Sequence, residues 1–333
     1  MLTSTISPTN ARRTVRLIGA LLTAALLALA FMATAARADT AANMNSAFNE
    51  TNGTTGWLVA KTSGTAVSSK NAGTVFEPAS AIKFVPHLHA ELKIQANPAV
   101  KNHSTPPWKM VPNSSCPTPD NSPGVFFGDP VQDAMSKMMW QSDNASTAAI
   151  VEHFGQASIN QTAQSQGTTN TLIQHRHGCG ADAIAKPNKW TLNDAALLYR
   201  KAFTGSLLTT ANRDHMWQRM PNQMQQFKDM ADFEAQWSFG GQDPPAAFLN
   251  GIKVAYKAGG YTLCHNPCRY YRAIAGYVEL PVKSIYGPMP RRFTFGLFIH
   301  GATVAESIVN EDFNAGISQI MREEIVKALD TWL

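Results

Sequence analysis

The sequence predicts a mixed α/β domain: an antiparallel sheet drawn from both ends of the chain, flanked by terminal helices, with a helical lobe inserted between its strands. Three observations carry this. Segments rich in β-branched and aromatic residues lie at 57–61, 252–263, 270–280 and 293–300, so strands from the two ends have to meet in one sheet. The stretch between them carries helix-start signals, Asp129-Pro130 before a run to Trp140 and Thr191 with Asp194 before another. The last segment places Ile317, Met321, Ile325, Ala328 and Leu329 on one helical face, and Ala41, Met44 and Phe48 do the same near the start. With 44% hydrophobic residues in 333, the chain suffices for one large domain or two lobes. The expected division is a sheet lobe from about 39–80 and 250–333 and a helical lobe from about 81–249.

The start of the chain reads as an export signal. Arg12, Arg13 and Arg16 precede an uncharged run over 17–36, and Ala36-Arg37-Ala38 offers a small-residue cleavage site before Asp39. An uncleaved anchor is the alternative, because the run approaches spanning length. Cleavage after residue 38 removes four arginines and no acid, which brings the formal charge of +5 close to zero. The basic balance therefore gives no argument for nucleic acid.

From there the elements follow in order. Pro78 suits a first helical turn, which puts Ser80 near a helix N-terminus, and Pro86 is expected to kink the helix beyond Lys83. His87 and His89 read as core or helix-face histidines. Residues 96–129 are rich in proline, asparagine and serine with little periodicity, and read as an extended surface loop whose Trp108, Phe126 and Phe127 are candidates to line a substrate entrance.

Chemistry enters with three short motifs in order: Ser80-x-x-Lys83, Ser142-Asp143-Asn144 and Lys257-Ala258-Gly259. Serine at neutral pH is a poor nucleophile and needs a base within reach; lysine serves only when burial or a nearby cation lowers its pKa. Residues three apart share a helix face, so the Ser80 hydroxyl and the Lys83 amine can converge. Each motif alone is common, and their order is what points to an acyl-transfer site.

These motifs, together with residues 76–83 (FEPASAIK), 142–155 (SDNASTAAIVEHFG), 167–172 (GTTNTL) and 191–220, resemble class A β-lactamases and related penicillin-recognising serine hydrolases, from about residue 40 to the C-terminus. The resemblance implies a five-stranded antiparallel sheet with an inserted all-helical lobe. It implies that Ser80 is acylated, that Lys83 and Ser142 relay protons, that Asn144 holds the substrate amide and that Lys257 attracts a substrate carboxylate. It assigns the oxyanion hole to the backbone N–H groups of Ser80 and Gly260, with Gly259 part of the same strand. A small β-lactam or peptidoglycan-like substrate is implied, and no cofactor, metal, nucleic acid or stable membrane partner is expected of a monomeric protein.

Two departures qualify the likeness. The loop at 174–190 lacks the glutamate that activates the deacylating water in class A members, and no glutamate occurs between Glu152 and Glu234. Asp182, His175 and His177 are the candidate substitute bases. Ala258 stands where the family usually has Thr or Ser, which weakens carboxylate binding. The alternatives are therefore a D-Ala-D-Ala carboxypeptidase-type peptidase and a binding homologue that captures β-lactam or peptidoglycan fragments without turnover.

Cys116, Cys179, Cys264 and Cys268 fit an oxidising compartment and allow three pairings. Pairing of Cys264 with Cys268, closing a short loop, and of Cys116 with Cys179, tying two loops near the site, is favoured. Zinc at Cys264, His265 and Cys268 is the rival.

Overall fold

Side-chain alternation along the strands shows how the sheet is used on both faces. In β1 (Thr54–Lys61), Trp57 and Val59 enter one apolar cluster while Leu58 and Ala60 enter another, as a period of two requires. The computed structural model describes residues 39–333 except Ser206 and His265. The export-signal reading falls on residues 1–38 and lies outside the described residues. No described helix is long and apolar enough to cross a membrane.

Helix α1 (Thr40–Ala47) leads into β1, which pairs with β2 (Ala66–Lys70). A 3₁₀ turn (Ala79–Lys83) and α2 (Phe84–Ala96) open the helical insertion. The insertion continues through the short ribbon β3 (Trp108–Met110) and β4 (Pro117–Pro119), then α3 (Val131–Trp140), α4 (Asn144–Phe154), α5 (Gln156–Ser165), α6 (Gly180–Ala185), α7 (Leu192–Thr204), α8 (Thr210–Gln218), α9 (Gln225–Ser238) and α10 (Ala246–Gly251). The chain then returns to the sheet with β5 (Lys253–Cys264), β6 (Cys268–Ser284) and β7 (Gly287–Ala302), and ends in α11 (Glu306–Ile320) and α12 (Arg322–Leu329). The sheet has five strands in the order β2-β1-β7-β6-β5, all antiparallel. This is the mixed α/β architecture expected from the sequence.

Helices α2 to α5, α7 and α8 of the insertion cover one face of the sheet, while α9 and α10 join the terminal helices on the other. Ala255, Ala273 and Ala275 keep the first face low, so the helices sit close, and Leu192 of α7 lies directly over Gly296 of β7. The terminal helices cover the other face, where Val254, Ile274, Phe295 and Leu297 meet Met44, Phe313, Ile317 and Ile325. The edge strand β5 is thereby left with one flank toward the insertion.

Several local readings need correction. β2 escaped the sequence reading because AVSSK is polar and half-exposed, as an edge strand can be. Asp129 does not cap α3; its carboxylate pairs with Lys137 at 2.8 Å while Pro130 takes the cap position. Pro86 does not kink a helix, because the backbone before Phe84 is 3₁₀ and Pro86 falls in the first turn of α2, where a missing N–H costs nothing. The 96–129 segment contains β3 and β4 rather than being wholly irregular. The C-terminal apolar face is continuous in burial but broken in backbone at Met321. Thr191 caps α7 by accepting from the Asp194 N–H, and Asp194 turns to accept from Asn170 N and Thr171 Oγ1.

His87 and His89 are buried. His89 Nδ1 meets Thr162 Oγ1 at 2.7 Å, and His215 Nδ1 meets both oxygens of the buried Glu91 at 2.9 and 3.0 Å. Burial pushes the Glu91 pKa up, but the contact with His215 outweighs it and the net position is about 2; His87 stands 3.7 Å away, beyond hydrogen-bond length. A folded-state pKa below the ordinary carboxylate value of 4.5 stabilises the fold above that value and is lost as pH falls through about 2. Thermal unfolding followed from pH 5 to 2 is therefore expected to show a decline that is flatter in Glu91→Gln; equal slopes in the two proteins would contradict this.

Candidate active site

The Ser80 turn is built under strain. Ala79 has φ 49° and Ser142 has φ 55°, a left-handed conformation that costs a non-glycine residue on the order of 1–3 kcal/mol. Ala79 lines the cleft, and Ser142 meets Lys83 and Lys257 behind it. At Ala79 the strain is held by Glu77, whose buried carboxylate accepts from the Ala79 N–H at 3.1 Å, while the Glu77 N–H donates to His300 Nδ1. Ser80 is thus the second residue of a 3₁₀ turn, where a backbone N–H has no partner within the turn.

Lys83 is fully buried, and its amine reaches the second motif: Nζ donates to Ser142 O at 2.6 Å and Asn144 Oδ1 at 2.7 Å, and stands 3.4 Å from Ser142 Oγ. Two short donations match the two N–H bonds of a neutral amine and leave its lone pair for a hydroxyl proton. Burial, and then the neighbouring Lys257 ammonium, drive the Lys83 pKa well below its usual 10.5, although Asp143 opposes this. Lys257 is nearly buried and falls to about 8 through desolvation. Its Nζ donates to Ser142 Oγ at 3.0 Å and to Ala258 O at 2.8 Å. With Lys257 donating to its oxygen, the Ser142 hydroxyl is free to donate toward Lys83. Asp143 fixes this corner by capping α4, accepting from Ser146 N at 2.6 Å.

The flank of β5 brings the third motif to Ser80. A Cβ added at Gly259 would lie 2.3 Å from Ser80 N, so strand backbone and 3₁₀ turn touch with no side chain between them. On this edge strand Tyr256 N–H points away from β6 to Pro221 O. The period-two alternation turns the Gly260 N–H the same way, and Gly260 lines the cleft beside Ser80.

The 174–190 loop forms the floor. His177 is buried and lines the cleft, with Nε2 lacking a hydrogen-bond partner. Burial, followed by the charges of Lys83, His175 and Lys257, lowers its pKa well below 6.5, so its imidazole is neutral at pH 7. His175 Nε2 is 3.5 Å from Glu77 Oε2; burial lowers the His175 pKa, but Glu77 outweighs it and the net shift is upward. Asp182 sits on the first turn of α6, paired with Arg176 at 3.3 Å, and does not line the cleft. Phe126 and Phe127 are 76% and 75% exposed and also lie outside the lining. Trp108 Nε1 donates to Glu152 on the far side of the 175–177 segment.

Both favoured disulfides are present, Cys116–Cys179 and Cys264–Cys268. Closing the 63-residue separation between Cys116 and Cys179 contributes about 4 kcal/mol in the chain-entropy model. Two contributors escaped the sequence reading. Glu77 stood inside a quoted motif without a role, and Ser115, whose carbonyl accepts from Asn144 Nδ2 at 2.8 Å, lies in an irregular stretch that offers no periodic signal.

A family model described as the beta-lactamase enzyme family matches residues 39–286. The chain belongs to this family. No curated protein matches it by sequence. Solved structures do: a beta lactamase from Xanthomonas campestris pv. campestris has 15% identity and TM-score 0.60, over 85% of this chain and 96% of that one. A class A beta-lactamase representative from Bacteroides cellulosilyticus has 17% identity and TM-score 0.60, over 88% and 98%. A mutant of PBP-A, solved as an acyl-enzyme complex with penicillin G, has 18% identity and TM-score 0.58, over 86% and 96%. At these identities the likeness establishes the shared fold, and the roles of residues in this beta-lactamase family member rest on its own geometry.

Proposed function

We propose that this protein is an exported serine hydrolase that forms an acyl-enzyme at Ser80 with a β-lactam or a related amide or ester. The observation that carries the reading is the convergence of Lys83, Ser142, Asn144 and Lys257 through hydrogen bonds of 2.6–3.4 Å beside a serine on a strained turn. In the step, the Ser80 Oγ–carbon bond forms, the amide C–N bond breaks, and the hydroxyl proton passes through Lys83 and Ser142 to the leaving nitrogen. The N–H groups of Ser80 and Gly260 hold the developing oxyanion, each worth ~2.7–4 kcal/mol, and Lys257 draws the substrate carboxylate. His177 is the preferred substitute base for hydrolysis of the acyl-enzyme, since it is neutral, buried and faces the cleft. Asp182, exposed and ion-paired, is the weaker candidate. Two disulfides favour an oxidising, extracytoplasmic setting.

A second reading, a peptidase or stalled acceptor of the penicillin-binding type, is favoured by the floor loop's lack of a carboxylate facing the cleft. Mixing the protein with a chromogenic cephalosporin and a compact penicillin, while following product and intact mass, separates the two. Turnover supports the hydrolase and a persistent adduct the stalled acceptor. In Ser80→Ala the adduct is expected to vanish and turnover to fall by ~10⁶-fold; an adduct of equal yield in that variant would remove Ser80 as the nucleophile.

A further inference from the structure

The cleft beside Ser80 is small and braced on two sides. Its volume is about 160 Å³, and its mouth opens to solvent. One wall is a strap in which the segment before β4 is joined by one contact to α4 and by two to the floor loop. Ser115 O accepts from Asn144 Nδ2 at 2.8 Å, Ser115 Oγ donates to Gly178 O at 2.8 Å, and Cys116 is bonded to Cys179. The strap has no slack: a Cβ on Gly178 would lie 1.9 Å from Ser115 O.

The facing wall is the end of β5. Leu263 reaches to 3.5 Å from where a Cβ on Gly180 would stand, Tyr261 is stacked on Tyr271 with ring centroids 4.7 Å apart, and the strand ends in the Cys264–Cys268 bond. Each wall is therefore tied covalently within one residue of the cleft lining, so the space beside Ser80 does not widen by a loop swinging out.

We infer that the Cys116–Cys179 strap and Leu263 make Ser80 selective for compact acyl donors, those whose substituent next to the reacting carbonyl fits between these two braced walls. This rests on acylation of Ser80 as proposed above, with the same bond made and broken. It narrows the substrate class, because a bulky substituent would have to displace a covalently fixed wall. Discrimination by a hydrophobic pocket reaches about 10–200-fold for a single methylene, and a substituent many methylenes larger is expected to be discriminated at least as strongly.

The test uses penicillins sharing one nucleus, whose 6-acyl substituent grows from acetyl to phenylacetyl to a fluorophore conjugate. Adduct formation at Ser80 is timed by intact mass in the wild type, in Cys116→Ser/Cys179→Ser and in Leu263→Ala. The wild type is expected to acylate with the acetyl member at least ~10²-fold faster than with the conjugate. Both variants, which open opposite walls, are expected to shrink that ratio by tenfold or more. Leu263→Ala keeps the strap intact, so it answers the question if the double variant does not fold. Rates independent of substituent size, or an undiminished ratio in the folded variants, would overturn the inference while leaving the hydrolase reading in place. Failure of every member to label Ser80 would overturn both.

Discussion

Lys83→Met is expected to slow acylation of Ser80 by ~10²–10⁴-fold, the range a general base contributes, while the protein stays folded. The side chain is fully buried, and its pKa is driven down by burial and by Lys257, so the amine that accepts the serine proton exists below the ordinary lysine range. Methionine fills similar volume and cannot accept a proton. Stability is expected to change little, because two effects oppose. Ser142 O and Asn144 Oδ1 lose their donor, at ~1–3 kcal/mol each, but the desolvation cost of burying a polar amine is removed with it. The pH profile sharpens the test. Because the neutral amine is the competent form, wild-type acylation rises with pH as Lys83 deprotonates, and the variant loses that limb. Timed intact-mass measurements across pH, with Tm recorded alongside, decide it; an unchanged rate in a folded variant would assign the base elsewhere.

Gly259→Ala is expected to cost ~10²–10³ in acylation rate, the loss of an oxyanion donor, together with ~1–3 kcal/mol of stability from overpacking. The added methyl would stand 2.3 Å from Ser80 N, 2.5 Å from Ala81 N and 2.8 Å from Ser80 Cα. All three are backbone atoms, so no rotamer change relieves the clash. The 3₁₀ turn and β5 must part, which separates the Ser80 N–H from the Gly260 N–H and moves the nucleophile away from Lys257. If Asn144 binds substrate as proposed, affinity should suffer less than the acylation rate constant, because Asn144 lies on α4, away from the altered strand. A variant with wild-type acylation would show that β5 does not set the oxyanion geometry.

How far the sequence could be read follows from the range of each interaction. Runs of β-branched and aromatic residues named four of the five strands, since a strand between two covered faces must be apolar throughout. The polar edge strand β2 gave no such signal. The Pro86 kink failed because helix signals do not distinguish a 3₁₀ lead-in from the first α turn, and the Met321 break failed because burial on one face survives a local change in backbone.

The sequence by itself determined the order of the three motifs, the terminal helical faces, the loop without glutamate and the four cysteines, whose three possible pairings it left open. Tertiary structure alone decided that Lys83 meets Ser142 and Asn144, that Glu77 holds the Ala79 turn and approaches His175, that Ser115 and Gly178 close over Asn144, and that His177 rather than Asp182 lines the cleft beside Ser80. The reason is physical. Periodicity and capping are written in neighbouring residues, whereas the partner of a buried amine or carboxylate is set by strand register and by which backbone carbonyls the packing turns inward, and neither is encoded near the residue itself.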